Sequence, residues 1–463
     1  MDLLLAHAYF LAEDPLEQQV MRPYPPLGLL YLSSYLKARA LSVSIFDGTF
    51  SSSEAFMALL RRERPAVVGF YCNLMTKVNV LRLIEVCRRE GATVVVGGPD
   101  PPFHAERYLQ HGADIVVIGE GEQTLAELVP RLLASPRARD LADIAGLVYR
   151  DAAGAIVRTP AREVLPTLDG QPFPDRAAID LDAYLSTWRK HHGKGSISLI
   201  TARGCPYTCR WCSRSVFGQS HRRRSPANVA DEVEQIVARY RPDMLWYADD
   251  VFTIHPGWLA HYAAELDRRG LRVPFECISR GERVSEEVAD TLARLGCLRL
   301  WIGSESGSQR VLDAMDRRVT VERVRTATHL LQSRGIQVGM FIMLGYPGEA
   351  VSDLDATIEH LKRAAPDVFL TTVAYPITGT PFHADVKGDV VATRAWAEST
   401  DRDLALRGRH SRLYYRFVRR WINGEVAGDR HLRQGRYLRA VRSLASARVG
   451  RLGMSLVNRQ REA

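Results

Sequence analysis

Three of the chain's seven cysteines crowd into eight residues: Cys205, Cys209 and Cys212, in a C-x3-C-x2-C spacing. Thiolates are the usual ligands of iron-sulfur clusters, and three of them leave one iron of a [4Fe-4S] cube without a protein ligand, open to a substrate that binds metal. Arg203, Arg210, Arg214 and the run Arg222-Arg223-Arg224 lie around them, and cationic neighbours lower a thiol's pKa and offset cluster charge. Structural zinc is the competing reading. It needs four ligands, and the nearest further candidate is His221, nine residues past Cys212. The other cysteines, Cys72, Cys87, Cys277 and Cys297, stand apart and the total is odd, so a disulfide framework is not expected. A reducing cytoplasm is the expected setting.

A loop of this kind must be held by regular elements. The first 135 residues alternate short apolar runs with amphipathic stretches, the mark of a doubly wound parallel α/β sheet. Strands are expected near Leu3 to Ala6, Val43 to Phe46, Ala66 to Phe70, Thr93 to Val96 and Asp114 to Ile118. Small residues follow the last two: Gly97-Gly98-Pro99-Asp100, then Gly119-Glu120-Gly121-Glu122. Ligands of such sheets bind at the carboxyl ends of the strands. Residues 136–195 lose the pattern and read as a linker. From Ser196 the alternation resumes, with strands expected near 196–202, 244–248, 274–279, 298–303, 337–344 and 369–374. Six strand-helix units over 196–381 predict a partial (β/α)6 barrel. The cysteine loop directly follows its first strand, where strand-end loops face the active site.

The spacing and its place after the first barrel strand resemble the radical S-adenosylmethionine (SAM) superfamily. The resemblance implies that the amino and carboxylate groups of SAM chelate the open iron, and that one electron splits the sulfonium to methionine and a 5′-deoxyadenosyl radical. It implies roles for further residues. Trp211 would contact adenine. Asp249 and Asp250 would receive the SAM amino group or a substrate hydroxyl, and Arg280 the SAM carboxylate. Ser304 and Glu305, within Gly303 to Gly307, match the ribose segment, and Gly345 and Glu349 the adenine segment. Helix capping at the aspartates and ion pairing at Arg280 and Glu305 are the structural alternatives.

Ahead of such a barrel, Pro25-Pro26-Leu27-Gly28, Gly97 to Pro102 and Gly119 to Thr124 resemble the superfamily class with an N-terminal cobalamin-binding domain. Gly97, Gly98, Pro99, Asp100, Gly119, Glu120, Gly121 and Glu122 would then border the corrin. Two departures stand out: no D-x-H-x-x-G segment is present, and Asp100 occupies a position where the class often has histidine. Cobalamin binding and a retained fold that only shapes a substrate cavity both remain open.

The formal net charge of +9 is local. Residues 401–463 hold 16 Arg and no Lys against five acidic residues, a net of +11, which leaves −2 for the preceding 400. Leu432, Tyr437, Leu438, Val441 and Leu444 recur at helical spacing, so 382–463 reads as a basic helical region packed on the barrel, with a docking surface for an acidic flavodoxin- or ferredoxin-type reductant as the functional alternative. Nucleic acid is not favoured, since no stacking aromatics are arranged for it. No apolar run reaches the roughly 18 residues of a membrane span. Met1 to Ala8 lacks the basic start and cleavage site of a secretory leader and reads as a first strand.

The expected function is radical modification of a small natural product or cofactor precursor. C-methylation leads, with cyclisation, or dehydration or oxidation of a polyhydroxylated sugar by Asp249, Asp250 and Glu305, as alternatives. A tRNA methylthiolase would need three more clustered cysteines, and a non-catalytic sensor would not need the SAM-contacting segments. Anaerobically reconstituted protein should hold about four irons per chain. Iron should be lost when Cys205, Cys209 and Cys212 are replaced by alanine and retained when Cys72 and Cys87 are; loss of iron in the latter pair would mean the cluster is misassigned.

Overall fold

The computed structural model describes residues 1–135 and 140–461. Positions 136–139 of the expected linker and 462–463 of the tail lie outside that set. The first sheet contains β1 (Leu3–His7), β2 (Val43–Asp47), β3 (Val67–Tyr71), β4 (Thr93–Gly97) and β5 (Ile115–Val117), which pair in parallel in the order β2-β1-β3-β4-β5. Their near-continuous apolar runs are those of strands covered on both faces. One face buries Leu4, Phe56, Val68, Ile84, Val94 and Tyr108, and the other Leu3, Leu36, Val95, Ile115 and Leu128. The order reverses between β1 and β3, which makes their carboxyl ends the switch point where such sheets bind ligands.

Residues 136–195 are more than a linker. They carry β6 (Leu147–Arg150) and β7 (Ile156–Arg158), which extend the sheet by two antiparallel strands, and the helix Leu181–His192. The hairpin escapes periodicity because each run is only three or four residues and β7 is largely exposed. Its turn chemistry is local: Asp151 accepts the Ala153 and Ala155 N–H groups, and Gly154 takes φ +85°.

The second sheet contains β8 (Ser196–Leu199), β11 (Met244–Tyr247), β12 (Phe275–Ser279), β13 (Cys297–Glu305), β14 (Gln337–Leu344) and β15 (Val368–Val373), adjacent in chain order. Between β8 and β11 stand β9 (Ala202–Arg203) and β10 (Arg222–Arg223), an antiparallel pair that closes the base of the cysteine loop. The single strand expected over 196–202 is thus broken after Leu199, and its last residues leave the sheet to start this clasp. Gly204 has φ +86°, and a Cβ there would meet the Ser220 carbonyl at 2.4 Å, so the clasp requires glycine.

Two compact units result: residues 1–206, 213–246 and 395–400 in one, and 207–212, 247–394 and 401–463 in the other. Within the second, the helices Arg412–Arg433 and Tyr437–Leu456 form an antiparallel hairpin, as the tail's helical spacing predicts.

Gly98 has φ +113°, and a Cβ there would lie 2.5 Å from the Cys72 carbonyl, so the sheet itself demands glycine here. Gly98→Val should cost about 2 kcal/mol or more of stability, whereas Gly97→Ala, whose Cβ would have no neighbour nearer than 3.6 Å, should leave the urea midpoint nearly unchanged. Equal midpoints for both variants would contradict this.

Candidate active site

The cysteine loop is gripped at its base by buried charge. Arg203, two residues before Cys205, donates to Glu120 at 2.8 Å and lies 2.6 Å from Glu122, while Arg222 reaches Glu120 at 2.8 Å. Glu120 also accepts the Leu165 N–H at 2.8 Å. Burial works against both charge types, but the arginines hold Glu120 below the usual carboxylate range and the glutamates raise Arg203. Glu120 and Glu122 are therefore engaged in anchoring this loop. Asp100 is likewise turned inward: it accepts the Tyr108 hydroxyl at 2.5 Å, and Tyr108 meets Cys72 Sγ at 2.8 Å. Of the strand-end residues expected at a corrin, Gly97, Gly98, Pro99, Gly119 and Gly121 are partly exposed, and Gly119 would place a Cβ no nearer than 3.8 Å to anything.

Sequence reading passed over a pair at the switch point. His7, the last residue of β1, sets Nδ1 3.3 Å from Asp47 at the end of β2, and Tyr184 donates to the same carboxylate at 2.6 Å. Burial pushes the Asp47 carboxyl up, but the hydrogen bonds from His7 and Tyr184 outweigh it and hold it low. The signal was available: a histidine ending a central strand.

None of the seven cysteines forms a disulfide. Cys205 belongs to the first unit, Cys209 and Cys212 to the second. Among the described residues, no three Cys, His, Asp or Glu side chains gather as the shell of a single ion. Cys209 is buried and flanked by guanidinium groups, with Arg280 donating to its sulfur at 3.2 Å and Arg317 at 3.7 Å. The donor set of three unbridged thiols on one loop with fixed cations beside it fits an anionic iron-sulfur cluster. The loop is fixed by the Arg210 N–H to the Met315 carbonyl at 3.1 Å, by Thr208 to Asp316 at 2.8 Å and by the Phe382 N–H to the Arg210 carbonyl at 2.9 Å.

Arg280 also pairs with Glu282, donates to the Arg317 carbonyl and lies over the Tyr207 ring at 3.8 Å. Arg317 donates to the Gly303 carbonyl at 2.6 Å and stands 3.8 Å from Glu305. Glu305 ends β13 at a register shift with φ +63°, and the Ser306 N–H closes onto the Ser304 carbonyl across it at 2.8 Å. A glutamate in left-handed backbone at a bulge is strained, and such strain clusters at functional sites. Burial pushes its carboxyl up to about 7 despite Arg317 and Arg280. A Cβ at Gly303 would lie 2.7 Å from both the Arg317 guanidinium and the Glu305 carboxylate, so a side chain there would push the two aside. Sequence reading named Arg280 and Glu305 but missed Arg317, whose partners lie 14 and 108 residues away.

The remaining expected residues divide. Ser304 is fully buried and bonds His360 at 2.9 Å on the helix Val351–Ala364, which ties β13 to that helix. Glu349 accepts the Gly345 N–H at 2.6 Å, while its other oxygen has no hydrogen-bond partner among the described residues. Burial pushes this carboxyl also up to about 7. Trp211 packs on Val311, Met315, Tyr346 and Phe382 with its indole N–H likewise unpartnered. Asp249 is buried and Asp250 exposed, after the end of β11.

Glu305 binds its proton more tightly folded than unfolded, so its contribution to stability is complete below its ordinary 4.5 and is lost as pH rises through about 7. Relative to wild type, Glu305→Gln should gain on the order of 2–3 kcal/mol between pH ~4.5 and ~8 in urea melts of apo protein; a pH-independent difference would refute the buried proton. Arg280→Ala and Arg317→Ala should each shift the cluster's reduction potential downward, because a cation beside Cys209 favours the more negative reduced state. An unchanged potential in spectroelectrochemical titration would make both residues purely structural.

Residues 199–361 match the radical SAM superfamily and residues 19–129 the B12 binding domain. The chain is 28% identical over 410 residues to an uncharacterized methyltransferase of Pyrococcus horikoshii, covering 86% of each chain. It is 27% identical over 359 residues to the anaerobic magnesium-protoporphyrin IX monomethyl ester cyclase of Rubrivivax gelatinosus, covering 74% of this chain and 63% of that one. In fold it is similar to the radical SAM methyltransferase TsrM from Kitasatospora setae, solved with cobalamin and a [4Fe-4S] cluster, at TM-score 0.71 and 20% identity, over 86% of this chain and 84% of that one. With its cysteine loop inside the first matched segment and strands β2 to β5 of the first sheet inside the second, the chain carries a radical SAM domain preceded by a B12-binding domain.

Proposed function

We propose that this enzyme methylates an unreactive carbon of a small natural product or cofactor precursor, using a [4Fe-4S] cluster, SAM and cobalamin. One observation carries the reading: the Gly119–Glu122 turn of the B12-binding domain grips Arg203 and Arg222, the two ends of the cysteine loop. A corrin seated on that sheet would be coupled to the loop by buried ion pairs. Bound there, the cluster and SAM supply reductive cleavage of the sulfonium, and cobalamin supplies a methyl carrier. The similarity to proteins named as methyltransferases supports this outcome.

The chain's own residues would bind and orient. Arg280, which bonds the Cys209 sulfur, would meet the SAM carboxylate. Glu305, with a proton affinity close to neutrality, can accept a ribose hydroxyl when ionised and donate when protonated. Trp211 offers an apolar face and an unpartnered N–H to adenine. Asp249 and Asp250, just past the end of β11, would serve in substrate proton transfer. A flavodoxin- or ferredoxin-type reductant in a cytoplasmic setting would supply the electron. Cyclisation is the second reading, favoured by the similarity to the Rubrivivax cyclase.

Anaerobic reconstitution with hydroxocobalamin, followed by gel filtration, should leave cobalt bound to the chain. Methyl-labelled SAM should pass its label to a product recovered from the metabolites of a deletion strain. Protein that retains no cobalt but still forms 5′-deoxyadenosine would exclude cobalamin-dependent methylation and put cyclisation or dehydration first.

A further inference from the structure

The helix Tyr437–Leu456 is apolar on two opposite sides. Its inner side presents Ala440, Ala447, Gly450, Gly453 and Met454, all buried. The fit against Arg412–Arg433 is close: a Cβ at Gly450 would meet the Trp421 backbone at 2.6 Å, and one at Gly424 would meet the Ala447 backbone at 2.7 Å. Its outer side carries Leu438, Val441, Val449, Leu452 and Leu456, which are 89%, 66%, 46%, 66% and 85% exposed. At about 100° per residue these five fall within an arc of roughly 80°. They form a continuous aliphatic stripe along the helix, and a helix apolar on both sides normally has both sides covered.

The charges beside the stripe indicate what covers it. Arg439, Arg442, Arg448 and Arg451 are all exposed, Arg442 and Arg448 directly flank the stripe on either side, and the helix contains no acidic residue. A second copy laid against this face would bring eight arginines together with no carboxylate from either helix to offset them. A polar, acidic reductant would answer the arginines but leave the leucines uncovered. An anionic bilayer surface answers both: acyl chains take the stripe while the long arginine side chains reach the phosphates. Among the described residues no helix is long and apolar enough to cross a membrane, so the contact is one of lying on the surface.

We propose that Tyr437–Leu456 is an interfacial anchor that holds the enzyme on an anionic lipid surface, independently of which reaction the barrel performs. Full-length reconstituted protein is sedimented with vesicles of phosphatidylcholine alone or mixed with phosphatidylglycerol. Expected are partition onto the anionic vesicles only, loss of at least about tenfold of that partition in the Leu438→Ser/Leu452→Ser/Leu456→Ser variant, and weakening as salt rises from about 0.1 to about 0.5 M. Unchanged iron content would show the variant to be folded, and Arg442→Gln/Arg448→Gln, which leaves the stripe intact, should weaken anionic binding by itself. Equal binding to both vesicle types would overturn the proposal. So would absence of vesicle binding, whether the protein is monomeric in sedimentation velocity or forms a dimer that the leucine substitutions break.

Discussion

The buried pairing of Arg203 and Arg222 with Glu120 and Glu122 is the interaction on which the rest of the site depends. Two carboxylates and two guanidiniums are withdrawn from water together, so removing any one leaves an uncompensated buried charge, a loss of about 3–5 kcal/mol. Its value is less in net stability than in position. Arg203 and Arg222 are partners in the β9–β10 ladder that closes the cysteine loop, and Glu120 and Glu122 open the helix Gly121–Ala134. The loop therefore cannot shift without breaking a charge pair or a backbone ladder. A second buried set, Arg176 and Arg224 with Glu232, continues the same scheme directly after β10.

A different logic governs the loop's other end. There Cys209, Arg280, Arg317 and Glu305 are packed together, with Glu282 paired to Arg280 and Glu305 standing 3.8 Å from Arg317. Two guanidiniums beside the Cys209 sulfur suit it to the negative charge of an iron-sulfur cluster. Glu305 sits buried without full ion pairing: desolvation raises its proton affinity towards neutrality, and the arginines keep the rise moderate. The left-handed backbone at Glu305 and the glycine at 303 are the structural cost of bringing that carboxyl in.

The tail uses a third device, size complementarity. Glycines and alanines let its two helices touch backbone to backbone, which leaves the larger aliphatic residues of the last helix facing outward. A helix whose small residues face in and whose leucines face out is inverted relative to an ordinary surface helix, and this inversion is what marks the outer face as a contact surface.

Much of this was determined by the sequence alone. The C-x3-C-x2-C spacing and its place after a strand are short-range features, and strands such as Gln337–Leu344 follow from local apolar runs that need no distant partner to be recognised. The hairpin at 147–158 was hidden because its strands are too short to show a period. Which acidic residues are available to a ligand was decided only by tertiary structure. Asp100, Glu120 and Glu122 look like strand-end ligand contacts in sequence, yet Tyr108, Arg203 and Arg222 claim them, the arginines from 81 to 102 residues away. Arg317 was invisible for the same reason. Backbone periodicity is set by near neighbours, whereas the state of a charge is set by whatever the fold brings within a few ångströms of it.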